Sequence, residues 1–144
     1  KSQSLFYKNK MSSLGVQPYC ISCHKEKIYE SQSKLTGYIT KIYNRLRRTD
    51  NSIITKDELM KLYYKQDGKC ALTNELMTYY SGPVLTETKY ESKYNIAIDK
   101  IQPSGDYTID NIQLIGLMIQ QMKSKTSMNN EKFIELCKLI SNNI

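Results

Sequence analysis

Asn95-Ile-Ala-Ile-Asp99-Lys100, then Gly105-Asp-Tyr107-Thr-Ile-Asp-Asn111-Ile-Gln-Leu-Ile115, then Gly116 through Lys125, is the stretch that decides the fold. Asn95 to Asp99 is a short apolar run closed by turn signals, which reads as a strand. Lys100 to Asp110 is a long polar turn broken by Pro103 and Gly105. Asn111 to Ile115 is a second strand, and Gly116 to Lys125 is helical. Strand, turn, strand and helix in this order bring a carboxylate and an amide to one end of a hairpin and return a helix to the same place.

Outward from this stretch the pattern is mostly helical. Downstream, Asn129 to Ile140 reads as a helix burying Phe133, Leu136, Cys137 and Ile140. Upstream, Lys69 to Thr73 reads as a short strand carrying Cys70, behind an Asp67-Gly68 turn. Thr55 followed by Glu58 is a capping box. It opens a helix to about Gln66 that presents Leu59, Met60, Leu62 and Tyr63. Ile28 to Leu46 has helical spacing, with Ile28, Leu35, Ile39, Ile42 and Leu46 on one face. This segment ends in Arg45, Arg47 and Arg48, the only arginines of the chain. Residues 1–19 are polar and loop-like, and Cys20-Ile-Ser-Cys23-His24 follows. Asn74 to Tyr94 is mixed, with Tyr79, Tyr80, Tyr90 and Tyr94. The expectation is a small α+β chain with units at 1–50 and 51–144.

Composition narrows the function. The formal net charge is +7, which favours a polyanion as partner. Lysine supplies 18 of the 21 cations, the other three being the arginines, and with abundant Ile, Asn and Tyr this points to an AT-rich coding genome such as that of a phage or large DNA virus. No apolar run reaches the roughly 20 residues of a membrane span, and the N-terminus lacks a secretory pattern. The four cysteines pair once, as Cys20 and Cys23, with Cys70 and Cys137 alone. That is half of a zinc site plus two buried thiols in a reducing, intracellular compartment, not a disulfide framework. Zinc takes four ligands, so a site here needs two more, which Cys70 and Cys137 could supply. Arg45, Arg47, Arg48, Lys123 and Lys125 are the cations placed to meet phosphates. Tyr38, Tyr43, Tyr63 and Tyr64 fall on helices and read as core or rim.

With these residues in view, the chain resembles the HNH-type nucleases of phages and large DNA viruses. It is also similar to zinc-containing rare-cutting HNH restriction enzymes and, more distantly, to endonuclease VII. The likeness runs through Ile-Ala-Ile-Asp99-Lys100-Ile, Gly105-Asp-Tyr107-Thr-Ile-Asp-Asn111-Ile-Gln-Leu and Gln120-Gln-Met-Lys123. It extends to Phe6-Tyr-Lys-Asn-Lys10, Gly15-Val-Gln-Pro18-Tyr-Cys20-Ile-Ser-Cys23-His24, Gly68-Lys-Cys70 and Phe133-Ile-Glu-Leu-Cys137.

The resemblance implies a ββα-metal (His-Me finger) core packed among helices, with an N-terminal zinc-knuckle-like segment. It implies metal-dependent hydrolysis of DNA phosphodiesters. Asp99 matches the metal carboxylate and Asn111 the asparagine that holds the turn. Gln120 stands where a His or Asn ligand is found, and Lys100 where the general-base histidine is found. The implied cofactors are Mg²⁺ or Mn²⁺ at the hairpin, as Lewis acid for the leaving oxyanion, and Zn²⁺ at Cys20 and Cys23, whose other half the resemblance implies is a second Cys-x-x-Cys that is absent or lies upstream of Lys1. With His24 the single histidine, the activator falls to a tyrosine, with Tyr107, Tyr94 and Tyr90 as local choices. Lys100 and Lys123 would engage phosphate. Double-strand cutting by a one-site domain needs two copies, hence a homodimer. The alternative, from a different class, is an HNH-fold protein that binds DNA for packaging, or joins a larger nucleoprotein assembly, without cutting.

Overall fold

The strands read at Asn95 and Asn111 form an antiparallel hairpin, β3 (Ile96–Lys100) against β4 (Ile112–Gly116). The chain is seen here in a computed structural model that describes residues 2–49, 54–82 and 92–142. Register is unbroken, with Ile96 opposite Gly116, Ile98 opposite Leu114 and Asp99 opposite Gln113. Every residue of β4 is buried, which explains an apolar run without strict alternation. The preceding elements are β1 (Phe6–Lys8), β2 (Val16–Cys20), α1 (Ile21–Gln32), α2 (Leu35–Thr49) and α3 (Lys56–Lys65). After the hairpin come α4 (Leu117–Thr126) and α5 (Asn130–Ser141). The architecture is α+β, with helices around two small antiparallel sheets, β1–β2 and β3–β4. Among the described residues no helix is long and apolar enough to cross a membrane.

Helix α3 starts where its sequence says it should. Thr55 Oγ1 accepts from the Glu58 N–H at 3.2 Å, and Glu58 Oε2 accepts from the Thr55 N–H at 2.7 Å. This reciprocal cap satisfies two amides that a helix start leaves open. The helix buries Leu59 completely and ends at Gln66, after which Asp67 and Gly68 both turn left-handed.

One core joins these elements. Tyr38, Ile39 and Leu46 of α2 pack with Leu59 of α3, Ile96 of β3 and Leu114 and Ile115 of β4. This cluster spans both sides of the division expected near residue 50. Truncating a side chain such as Leu114, fully enclosed here, costs about 2–5 kcal/mol in comparable cores.

Three local expectations are corrected. The helical segment from Ile28 to Leu46 is two helices: α1 stops at Gln32 with Ser33 as its C-cap residue, whose hydroxyl donates to the Tyr29 carbonyl. Gly37 lets α2 approach this corner, since a Cβ there would lie 2.0 Å from the Ser31 carbonyl oxygen. Ile28 is left exposed on α1, away from the core. Lys69 to Thr73 is not a strand. It makes one isolated bridge, Lys69 to Leu76, and then a tight turn closed by Asn74 N–H to the Cys70 carbonyl. Cys70 is buried as expected, but Cys137 and Ile140 are exposed on α5, where Phe133 is the buried residue. Cys20 ends β2 and serves as N-cap residue of α1.

Candidate functional site at the hairpin end

Asp99 and Gln113 are cross-strand partners, and their side chains meet. Gln113 Nε2 donates to Asp99 Oδ2 at 2.8 Å. Helix α4 runs back over the hairpin and delivers Lys123, whose Nζ donates to the same Oδ2 at 2.6 Å and to the Lys100 carbonyl at 2.6 Å. Lys123 is 2% exposed and Asp99 is 7% exposed. A buried ammonium is tolerated only with a counter-charge and hydrogen-bond acceptors, and both are present. On the other side Gln113 forms a reciprocal amide pair with Asn130, at 2.8 and 3.1 Å. The chain Lys123–Asp99–Gln113–Asn130 therefore links α4, β3, β4 and α5.

Asn111 sits at the mouth of the same hairpin. Its Oδ1 accepts from the Gln102 N–H at 2.9 Å, while its Nδ2 donates to the Gln102 and Asp106 carbonyls at 3.1 and 2.9 Å. The side chain closes the long turn as a backbone segment would. Gly105 leaves it room, because a Cβ at Gly105 would lie 2.6 Å from Asn111 Nδ2. Lys100 Nζ donates to the Gly105 carbonyl at 3.0 Å and stands 5.1 Å from the centre of the Tyr107 ring. That is a cation–π distance.

The remaining candidates separate. Gln120 is half-buried on α4 and is not among the partners of Asp99; the residue that α4 returns to Asp99 is Lys123. The expectation that Lys123 meets phosphate is corrected on the same ground, because its ammonium is enclosed and held by Asp99. Lys125 is exposed, two residues further along α4. His24 lies on α1, its ring edge-on to Tyr7 at 5.5 Å, and does not reach Asp99. Tyr94 is half-buried, and Tyr90 lies outside the described residues. Arg45, Arg47 and Arg48 are all exposed along α2.

The donors at the hairpin do not fit a divalent ion as they stand. Such an ion takes several oxygen ligands, and among the described residues no group of three or more His, Cys, Asp or Glu is placed to share one. Asp99 brings one carboxylate, and an ammonium already occupies one of its oxygens. A cation entering there meets the like charge of Lys123 at close range, where the interaction is least screened. Cys20 and Cys23 supply two sulfurs, and neither Cys70 nor Cys137 joins them in such a group. The described residues do not complete a four-ligand zinc site.

Three amides escaped the sequence reading. Gln113 and Asn130 complete the buried chain. Asn95 accepts from Thr78 Oγ1 and the Tyr80 N–H and donates to the Tyr80 carbonyl, pinning the segment before β3. The available signal was a polar residue inside an apolar strand, which at Gln113 demands a buried partner. No family model, curated protein or solved structure matches the chain.

Proposed function

We propose that the chain is a DNA-binding domain built on an HNH-type hairpin, in which a lysine ammonium stands beside the carboxylate that active nucleases use for metal. The observation that carries the reading is the enclosed Lys123–Asp99 pair at 2.6 Å. It explains how the hairpin end holds its shape with one buried acid and no histidine.

The binding surface in this reading is α2. Lys41, Arg45 and Arg48 follow one another at i, i+4 and i+7, so they line one side of the helix over about 10 Å. All three are exposed, and Arg47 lies beside them 5.9 Å from the Tyr43 ring. A row of exposed cations on a chain of charge +7 suits a phosphate backbone. Backbone contacts of this kind set affinity and position without reading bases.

A second reading, metal-dependent phosphodiester hydrolysis, rests on the resemblance. It is favoured by one contact, Lys100 beside Tyr107, which pairs a cation with the phenol proposed as activator. Fluorescence anisotropy with a labelled duplex across a salt series tests the first reading. Binding that weakens steeply with salt supports it, and no binding at low salt removes it.

A further inference from the structure

We propose that the cleft between β2 and α1 binds a nucleotide whose base is unpaired, at a site separate from the duplex surface on α2. The cleft has a volume of about 410 Å³, within the range of small-ligand sites. One wall is a helix face. His24, Lys27, Ile28 and Ser31 stand at i, i+3, i+4 and i+7 of α1, so their side chains share one side of it. The other wall is the end of β2, with Pro18 and Tyr19. Tyr19 is 46% exposed and Ile28 is 39% exposed. An open aromatic ring on one wall and an open aliphatic side chain on the other give a flat apolar group two surfaces to lie between. Tyr7 braces the His24 ring edge-on at 5.5 Å, which fixes the helix wall against β1.

The polar groups select among flat ligands. Lys27 is the one charged residue lining the cleft, and among the described residues no carboxylate lines it. Glu26 and Glu30 of α1 are exposed outside it. An anionic ligand therefore enters toward a cation and meets no like charge on the walls. The Lys27 ammonium lies 4.5 Å from the centre of the Tyr19 ring, so stacking platform and phosphate partner are side by side. A base takes the place of the ammonium on the ring, and Lys27, on its flexible four-carbon stem, turns to the phosphate. Gln17 and Ser31 line the same space and offer donors and acceptors to a base edge. In a duplex that edge is paired and both faces of the base are stacked, so the cleft takes a base that is out of the helix.

The test measures, by anisotropy, binding of the full chain to a labelled oligothymidylate and to a labelled duplex. Wild type is compared with Tyr19→Ala, Tyr19→Phe and Lys27→Ala, the last at an exposed position. Single-strand affinity should fall about 5- to 150-fold in Tyr19→Ala, the loss of one stacked base. It should stay near wild type in Tyr19→Phe, which keeps the ring, and weaken in Lys27→Ala. Duplex affinity should be unchanged in all three, so loss of duplex binding alone counts against the α2 surface and leaves the cleft standing. Competition with thymidine monophosphate separates two sources of the ligand. Displacement of the strand by an equal concentration of it assigns the cleft to free nucleotides, and displacement only by unlabelled strand assigns it to unpaired bases within a strand. Wild-type single-strand affinity in both Tyr19→Ala and Lys27→Ala would overturn the proposal. So would an equal loss on the duplex, or no single-strand binding by the wild-type chain.

Discussion

Lys123 and Asp99, 24 residues apart in sequence, form a buried ion pair with 2.6 Å between Nζ and Oδ2. The pair ties the helix after the hairpin to the end of the first strand. Its energetics are asymmetric. Two opposite charges sealed together are near neutral against an apolar pair, but one left alone is severely unstable. Lys123→Met should therefore destabilise the chain by about 3–5 kcal/mol. The double variant Asp99→Asn with Lys123→Met should recover much of that loss. Urea unfolding of the three proteins measures both, and a Lys123→Met cost below about 1 kcal/mol, the range of exposed ion pairs, would mean that the pair is open to water.

Asn111 holds the turn through three side-chain hydrogen bonds. Asn111→Ala leaves the Gln102 amide and two carbonyls to find other partners. The loss should be about 0.5–1.5 kcal/mol, the net worth of a hydrogen bond whose partners can turn to water. Gly105→Ala should fall in the same range, because its Cβ would displace the Asn111 amide. Hydrogen exchange at the Gln102 amide is the sharper readout. It should speed up in both variants, and unchanged exchange would show that the turn is held elsewhere.

Glu58 gives a pH signature. The Thr55 backbone N–H and then its hydroxyl hold the Glu58 carboxyl below its ordinary value. A carboxylate depressed in the folded state stabilises above its unfolded pKa, and that stability is lost as pH falls through the folded value. Wild type should melt above Glu58→Gln at neutral pH, and the gap should close in acid, below the ordinary carboxylate range. Thermal melts of both proteins across that range decide it. A gap independent of pH would assign the effect to the shape of the cap rather than to its charge.

The cations of α2 should set the salt dependence of DNA binding. Replacing Arg45, Arg47 and Arg48 with Ala should weaken binding and lower the slope of log affinity against log salt by about 2–3, at roughly 0.9 for each phosphate no longer neutralised. Lys123→Met should leave that slope unchanged, because its ammonium faces Asp99. Equal slopes in wild type and the triple variant would move the binding surface away from α2.

The sequence carried the local part of the fold. The hairpin strands, the Thr55 cap, the Asp67-Gly68 turn and the helix beginning near Asn129 each depend on residues a few positions apart, so their chemistry is visible in the text. What escaped depends on distant partners. A lysine in a helix reads as solvated, and Lys123 is buried only because Asp99 meets it. Gln66 looks like a helix end, yet its side-chain amide accepts from the Leu114 N–H and donates to the Leu114 carbonyl, standing in for a neighbouring strand. Cys137 has apolar sequence neighbours, but α5 turns Phe133 inward and leaves that thiol outside. Each case is set by packing across the core, which periodicity alone does not report.

If Lys123 holds Asp99 in a domain that binds DNA without cutting it, supercoiled plasmid incubated with the purified chain in Mn²⁺, in Mg²⁺ and in chelator should shift but stay intact in all three conditions, with no nicking by the wild type or by Asp99→Ala. Nicking that requires the divalent ion and disappears in Asp99→Ala would overturn the proposed DNA-binding role and establish the hydrolytic reading.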